Sequence, residues 1–215
     1  QIALLEAFSQ HHPSIFASFH IFLKMNSGMN RLGFRPEAYR AAWQRLSNIA
    51  CVDSITHMTH FSDADGERLG ESGVDYQVKT FESTVEGLAG KRSTSNSAAI
   101  LRYQNQLHSD YVRSGIMLYG SSPDYPTHTL QDWGLQPTLS LRSEIIAIQS
   151  IDAEHSVGYG SRFIAKQAMR IGIVACGYAD GYQRTTETGT PVLVDSQITQ
   201  IIGRVSMDML AVDLS

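Results

Sequence analysis

Residues 22–34, FLKMNSGMNRLGF, join an apolar run to a glycine-rich loop that carries two cations. The apolar residues that lead into this stretch, Phe19 to Leu23, predict a buried strand. The two glycines predict a turn in which the backbone bends sharply or approaches another group closely. Lys24 therefore stands at the end of a buried strand, and Arg31 stands in the loop after it. Because burying an unpaired cation costs several kcal/mol, the two side chains predict a site with an anionic partner; a solvated turn is the alternative.

Strand-like and helix-like patterns alternate around this stretch as far as about residue 120. Helices are predicted over Ile2–Phe8, Pro36–Ile49, Gly73–Leu88 and Ser97–Tyr103. Strands are predicted over Ser18–Leu23, Ser54–His60, Lys91–Ser97 (a strand and turn) and Tyr111–Leu118. This alternation predicts βα units around a parallel sheet. In a parallel barrel, polar residues at the carboxyl ends of the strands form the site.

From about residue 135 the pattern becomes all-β. Short strands separated by turns are predicted over Thr138–Ile148, Ala168–Cys176, Pro191–Val194, Ile198–Ile202 and Met209–Leu214. A run of turn-forming residues, Ser121–Pro126, precedes the change. We therefore expect two domains, residues 1–134 and residues 135–215.

Composition and charge narrow the classes of function. The 215 residues carry a net charge of −4 with a pI near 6.0, which gives no reason to expect nucleic acid or a membrane as partner. Cys51 and Cys176 lie in strand-like runs and predict buried thiols in a reducing cytoplasm. Because the chain begins at Gln1 within a helical pattern and ends within a strand-like one, we expect an internal piece of a longer protein.

Polar residues follow several of the predicted strands. His57 and His60 precede an acidic loop and allow a zinc site, but their spacing in a strand favours an imidazole that stacks on a ligand or packs in the core. Asn96 and Ser97 stand where a strand turns into a helix, so they predict either a helix cap or a bound phosphate. The segment Val112–Ile116 adds an arginine and further backbone amides, which suit the same phosphate.

Two tyrosines of the β-region are flanked by glycines. Tyr159 and Tyr178 either pack over turns or act as an acid or base, if a neighbouring cation lowers the phenol pKa. In the later segment 202–208, Arg204 and Asp208 either join such a site or pair with each other.

Taken together, these segments resemble alanine racemases. The matching blocks occur in order as Leu23–Phe34, Thr59–Asp65, Asn96–Ala99, Arg113–Gly120, Gly158–Gly160, Gly177–Tyr182 and Gly203–Asp208. The resemblance implies an α/β fold: the C-terminal half of a (β/α)8, TIM-like barrel that carries pyridoxal 5'-phosphate (PLP), followed by part of an all-β domain.

The resemblance also implies roles in cofactor binding. Arg31 matches the arginine that bonds the phenolic oxygen of PLP and helps to hold the substrate carboxylate, and Lys24 matches an often carbamylated lysine that pairs with it. His60 matches the histidine stacked on the pyridine ring, and Arg113 matches the arginine at the pyridine nitrogen. The phosphate binders correspond to the Asn96–Ser97 turn, Gly115 and Ile116, with Tyr178 near phosphate and substrate in the assembled dimer.

Further roles concern the reaction. Tyr159 matches the catalytic tyrosine, which moves the α-proton on the face used for the L-isomer and reaches the cofactor of the other subunit of a homodimer. Met207 matches a residue whose amide contacts the substrate carboxylate, and Asp65 matches an acidic residue of the substrate channel. The family lysine that carries PLP and acts as the second base has no match among Lys24, Lys79, Lys91 and Lys166.

The expected function is that of a cytoplasmic isomerase that interconverts L- and D-alanine through an external aldimine with two-base proton transfer. Its D-alanine would serve peptidoglycan synthesis; the alternative is a catabolic role, in which D-alanine is converted to the L-isomer and degraded. Because the N-terminal lysine segment and a C-terminal tail of the family are unmatched, we expect this chain alone to be inactive. The alternatives are a non-catalytic PLP-binding barrel, or another barrel-type PLP racemase or decarboxylase.

Overall fold

The computed structural model describes residues 1–11, 18–68, 73–104, 106–107 and 109–215, which form two compact units. The first unit is Gln1–Leu139 and the second is Ser140–Ser215. Within the described residues, no helix combines the length and the apolar character needed to cross a membrane.

The first unit is built on three parallel strands, β1 (Phe19–Lys24), β2 (Val52–Met58) and β3 (Lys91–Ser93), which lie side by side in that order. Its helices are α1 (Ile2–His11), α2 (Pro36–Ser47), α3 (Val74–Val85) and α4 (Ser97–Arg102). The predicted alternation of strands and helices is therefore confirmed. The register pairs Lys24 with Met58, so the carboxyl ends of β1 and β2 meet at one edge.

One face of β1 packs against the helices. Leu23 is buried, and with Ile55 of β2 it joins a core to which α2 and α3 contribute Tyr39, Ala42, Leu46, Phe81 and Val85. Each leucine, isoleucine, valine or phenylalanine of this core stabilises the fold by roughly 1.5–3 kcal/mol. Since side chains alternate along a strand, Lys24 faces away from this core.

The predicted strand over Tyr111–Leu118 is wrong. Residues 111–115 join no sheet of the described chain, and a 3₁₀ turn follows at Ile116–Tyr119. The amides of Tyr111 and Arg113 donate at 3.0 Å to the carbonyl oxygens of Arg92 in β3 and Ser95 just after it. This segment therefore runs across the carboxyl end of β3, where it can contribute to a site.

The second unit is all-β, as predicted. Its strands are β4 (Ile145–Ile151), β5 (Ser156–Val157), β6 (Phe163–Ile164), β7 (Met169–Val174), β8 (Pro191–Val194), β9 (Gln197–Ile202) and β10 (Leu210–Asp213). Five of them form an antiparallel sheet in the order β4-β7-β10-β9-β8, and β5 pairs with β6. β8 has the predicted bounds. β4 begins later than predicted because Thr138 instead donates to the carbonyl oxygens of Tyr119 and Leu118.

Two apolar clusters cover the end of β9. Ile201 packs with Val205 and Val212, whereas its neighbour Ile202 packs on the other side with Val157 and Ile171. The segment that follows β9, beginning at Gly203, is therefore held in place by two buried residues, Ile201 and Ile202.

Candidate functional site

The loop after β1 is closed on itself. The amide of Phe34 donates to the carbonyl oxygen of Lys24 at 2.9 Å, and the amide of Asn26 donates to that of Phe34 at 2.8 Å. The side-chain oxygen of Asn26 accepts the amide of Asn30 at 2.8 Å. Gly33 has a φ of +119°, and a Cβ there would lie 2.8 Å from the backbone nitrogen of Asn26, so the turn requires glycine. These contacts fix the loop that carries the second predicted cation.

Two buried hydroxyls attach this loop to the end of β2. The Ser27 Oγ and Thr59 Oγ1 atoms lie 2.6 Å apart, and the Thr59 hydroxyl donates to the carbonyl oxygen of Met25 at 3.1 Å. The Met25 amide donates to the carbonyl oxygen of Met58 at 2.7 Å. The carboxyl ends of β1 and β2 thus form one polar platform.

Three cations, Lys24, Arg31 and Arg113, gather at this platform, and no carboxylate of a described residue pairs with them. Burial, together with repulsion from Arg31 and Arg113, lowers the pKa of Lys24. Across the described part of the chain, none of the three forms an ion pair with Asp or Glu. Such an arrangement favours an anionic ligand over a solvated turn, because an anion relieves the mutual repulsion.

Arg113 is held by carbonyl groups at the ends of two strands. Its Nη1 donates to the carbonyl oxygen and the hydroxyl of Ser93 at 2.6 and 2.7 Å, and its Nη2 donates to the Thr59 carbonyl oxygen at 2.6 Å. Burial lowers the pKa of Arg113, but a guanidinium keeps its charge in proteins. The Nε–H has no partner among the described residues and is free to donate to a ligand.

His60 lies beside this guanidinium, its Nδ1 3.5 Å from Nη2 of Arg113. Burial lowers the pKa of His60 to about 4, and the charges of Arg113, Arg31 and Lys24 add to that effect. The imidazole is therefore neutral at pH 7 and offers a flat, uncharged ring among three cations.

His57 is a core histidine. It is buried, and its Nε2 lies 3.2 Å from the carbonyl oxygen of Ala89. The Tyr39 hydroxyl lies 3.0 Å from Nδ1 of His57 and 3.0 Å from the carbonyl oxygen of Leu23. It has a single proton, which it donates to one of these two acceptors at a time. Among the described residues, no three His, Cys, Asp or Glu side chains gather as a metal site would require. The zinc alternative therefore gains no support. The contact between His57 and Tyr39 is not predictable from the sequence pattern, because Tyr39 lies on a different element, α2.

The Asn96–Ser97 turn acts as a helix cap and as an acceptor. The Asn96 side chain accepts the Ala99 amide at 3.1 Å and so caps α4. Ser97 is buried, and its Oγ accepts the amides of Gly115 at 2.8 Å and Met117 at 3.4 Å. The two segments predicted to hold one phosphate therefore touch. Between those two amides, the N–H of Ile116 donates to no atom of the described chain.

The second unit carries its own cavity of about 440 Å³. Its lining combines both predicted tyrosines with two arginines and an apolar rim, namely Tyr159, Tyr178, Arg184, Arg204, Val205, Ser206 and Met207. The guanidinium of Arg184 lies 5.3 Å from the centre of the Tyr178 ring, a cation–π contact that the sequence patterns did not reveal. Arg204 and Asp208 form no ion pair within the described chain, so that alternative is wrong.

Glycines bring the segments around this cavity together. A Cβ at Gly177 would lie 2.2 Å from the carbonyl oxygen of Met207, so only glycine permits this approach. The amides of Tyr178 and Ala179 then donate to the carbonyl oxygens of Ser206 and Met207 at 3.0 and 2.8 Å. The ring of Tyr159, by contrast, is 70% exposed.

Comparisons with known proteins match both units of the chain to alanine racemases. Residues 1–123 match the family model for the alanine racemase N-terminal domain, and residues 138–215 match the model for the alanine racemase C-terminal domain. The alanine racemase of Acinetobacter baumannii (strain SDF) is 69% identical over 96% of this chain, and that of Leptothrix cholodnii is 57% identical over 100%. These matches cover 56% and 57% of the two relatives, so the chain spans about half of their length.

Solved structures show the same fold. The biosynthetic alanine racemase of Pseudomonas aeruginosa is 37% identical with a TM-score of 0.84, and the matched region covers 100% of this chain and 63% of that one. The alanine racemase of Streptomyces lavendulae, a D-cycloserine producer, is 28% identical with a TM-score of 0.85, over 100% of this chain and 58% of that one. The predicted fold class, part of a (β/α)8 barrel followed by a β-domain, is therefore confirmed.

Proposed function

The chain belongs to the alanine racemase family, and on that premise we propose that the protein carrying it interconverts L- and D-alanine with PLP as cofactor. The proposal takes residues 1–134 as part of the PLP-binding barrel and residues 135–215 as part of the β-domain. It takes the whole protein to be a cytoplasmic homodimer that supplies D-alanine for peptidoglycan.

The proposal rests on one arrangement. Lys24, Arg31, Arg113 and the neutral His60 lie together, and two residues after Arg113 the Gly115 amide donates to Ser97. This donor set fits PLP, which combines a doubly charged phosphate, a phenolic oxygen and a basic ring nitrogen. A carbamate on Lys24 would replace its positive charge by a negative one and so remove the repulsion from Arg31 and Arg113.

Each group would meet a matching residue. The Asn96–Ser97 turn, with the amides of Gly115 and Ile116, would hold the phosphate, and in the assembled dimer a Tyr178 hydroxyl would lie near it. His60 would stack on the ring, and Arg31 would bond the phenolic oxygen and the substrate carboxylate. Arg113 would donate its free Nε–H to the ring nitrogen; because a guanidinium does not give up its proton, that nitrogen would stay unprotonated.

When bound, PLP supplies a sink for the electrons left at Cα once its proton is removed. Tyr159 would take or return that proton on the L face, and its exposure suits a group that works in the partner subunit. The backbone amide of Met207 would hold the substrate carboxylate.

The two alternatives predict different behaviour. A non-catalytic PLP-binding barrel has no use for an exposed catalytic tyrosine or for the C-terminal domain matched by residues 138–215. A decarboxylase would release CO₂ from its amino acid. The racemase proposal is favoured because the family matches cover both units.

The test uses the full-length protein that carries this sequence, loaded with PLP. In deuterated water, we expect both isomers of alanine to exchange the α-proton and to reach a racemic mixture. PLP binding without exchange would favour the barrel alternative, and release of CO₂ would favour a decarboxylase; either result rejects the proposal.

A mixing experiment tests the shared site. If Tyr159 works in the partner's site, dimers that pair a Tyr159→Phe subunit with an Arg31→Ala subunit contain one complete site. We expect two variants that are inactive alone to regain activity when they are mixed and allowed to exchange subunits. If the tyrosine served its own subunit, mixing would restore nothing.

The four lysines lead to a prediction for the chain by itself. Lys24 lies among Arg31 and Arg113, Lys91 donates to the Tyr111 hydroxyl, Lys79 lies on α3, and Lys166 lies in the second unit. Lys24 matches the family lysine that pairs with Arg31, and none of the other three matches the lysine that carries PLP, so we expect residues 1–215 to racemise no alanine. Turnover together with the visible absorbance of lysine-bound PLP would overturn this expectation.

A further inference from the structure

Asp124 is a buried carboxylate with four hydrogen-bond donors. Its side chain is fully buried; Oδ1 accepts from the Ser122 hydroxyl at 2.9 Å and Trp133 Nε1 at 2.8 Å. Oδ2 lies 2.6 Å from His128 Nδ1 and accepts from Arg102 Nη1 at 3.3 Å. Burial alone would raise the pKa of Asp124, but the hydrogen bonds from Trp133, His128 and Ser122 outweigh it and keep the pKa below its ordinary value. The group is ionised at neutral pH.

Arg102, the last residue of α4, connects three segments of the first unit. Its side chain is 12% exposed. Besides Asp124, its guanidinium donates to the carbonyl oxygen of Asp65 at 3.3 Å and to the carboxylate of Glu67. A planar fork with several donors suits this arrangement, whereas a lysine could not reproduce it.

The stretch of chain from Gly115 to Asp124 is thus attached to both ends of α4. At the start of the helix, Ser97 accepts the amides of Gly115 and Met117. At its end, Arg102 binds Asp124. A helix of six residues is too short to be stable in isolation, so its position depends on such contacts.

We propose that the Arg102–Asp124 pair positions the phosphate-binding turn of this protein, acting through α4 rather than by touching the cofactor. The proposal rests on the proposed function, because that function supplies the phosphate. Loss of the pair leaves the end of α4 held only by the contacts of Arg102 with Asp65 and Glu67 and detaches it from Asp124, so Ser97 and the amides of Gly115 and Ile116 are held less firmly in one arrangement. The effect falls on the phosphate and spares the ring, because Arg113 is fixed by Ser93 and Thr59, and His60 lies beside that guanidinium.

The experiment compares two ligands that differ only in the phosphate. In the full-length apo-protein, the dissociation constants of PLP and of pyridoxal are measured by absorbance for wild type and for Asp124→Asn. We expect PLP to bind about tenfold more weakly in the variant while pyridoxal changes little, because only a charge-assisted contact remote from the ring is lost. Glu82→Gln, which breaks the ion pair of Glu82 with Arg92, is the matched control and leaves both constants unchanged.

Arg102→Lys decides the question if Asp124→Asn fails to fold. It keeps the charge but not the fork, so the same selective loss of PLP affinity is expected in a smaller degree. Equal weakening of PLP and pyridoxal, or no weakening of either, overturns the proposal. A wild-type protein that binds neither ligand would instead reject the proposed function, so the two failures are distinguishable.

Discussion

The two units hold their candidate residues in opposite ways. In the first unit, the terminal N–H groups of Arg113 donate to backbone carbonyl oxygens, and the Ser97 hydroxyl accepts two backbone amides. Both side chains are therefore fixed in the absence of a ligand. In the second unit, Tyr159 is 70% exposed, and its hydroxyl forms no hydrogen bond with a described residue. The first unit therefore presents side chains that are already fixed, whereas the second presents at its surface the tyrosine for which we propose a catalytic role.

The largest effect is expected from Tyr159→Phe in the full-length protein. Because the hydroxyl would move the proton, kcat for racemisation should fall by about 10²–10⁴-fold. Since the ring is exposed and unbonded, Tm should stay unchanged. Tyr125→Phe, at another exposed tyrosine, is the control and should alter neither quantity. A large fall in Tm for Tyr159→Phe would mean that the tyrosine has a structural role, which would erase the contrast between the units.

Glycine substitutions compare backbone constraint in the two units. Gly33→Ala places a Cβ 2.8 Å from backbone atoms at a φ of +119°, whereas Gly160 has a φ of +74° and open space around it. We expect Gly33→Ala to lower the free energy of unfolding by more than about 3 kcal/mol and Gly160→Ala by about 1 kcal/mol. Urea unfolding of both variants measures the difference. Equal losses would show that the loop after β1 is no more constrained than the turn around Tyr159.

Removing one buried hydroxyl tests the support beneath β1. Burial raises the pKa of Tyr39 well above its ordinary value, so the hydroxyl stays protonated and donates to Leu23 or His57. Tyr39→Phe leaves those acceptors unsatisfied, and we expect a loss of about 1–3 kcal/mol in the free energy of unfolding. Tyr76→Phe, at an exposed tyrosine of α3, is the control. An unchanged stability for Tyr39→Phe would mean that water replaces the hydroxyl.

Sequence patterns predict what is local and miss what connects distant segments. The bounds of β8 and the start of α2 follow from a proline, a turn and apolar periodicity within a few residues. The segment at Tyr111–Leu118 has the apolar content of a strand, yet its amides bond to carbonyl groups near β3 that lie about 20 residues earlier. Asp124 and Arg102, or Tyr39 and His57, meet only after folding, so no spacing in the sequence reveals them.

The smallest effect is a pH dependence that belongs to the first unit. Burial and the neighbouring Arg113, Arg31 and Lys24 lower the pKa of His60 from 6.5 to about 4. Between these values the unfolded chain binds more protons than the folded one, so stability is fully present above pH 6.5 and falls as the pH drops toward 4. Solvent screening reduces this loss to on the order of 1 kcal/mol. His60→Gln should make the slope of urea-unfolding stability against pH shallower across that interval and leave the part contributed by His57, whose pKa burial also lowers. His155→Gln, at an exposed histidine of the second unit, should leave the slope as in wild type. A slope as steep in His60→Gln as in wild type would mean that other groups carry the whole pH dependence, and that His60 is not the neutral ring among the three cations.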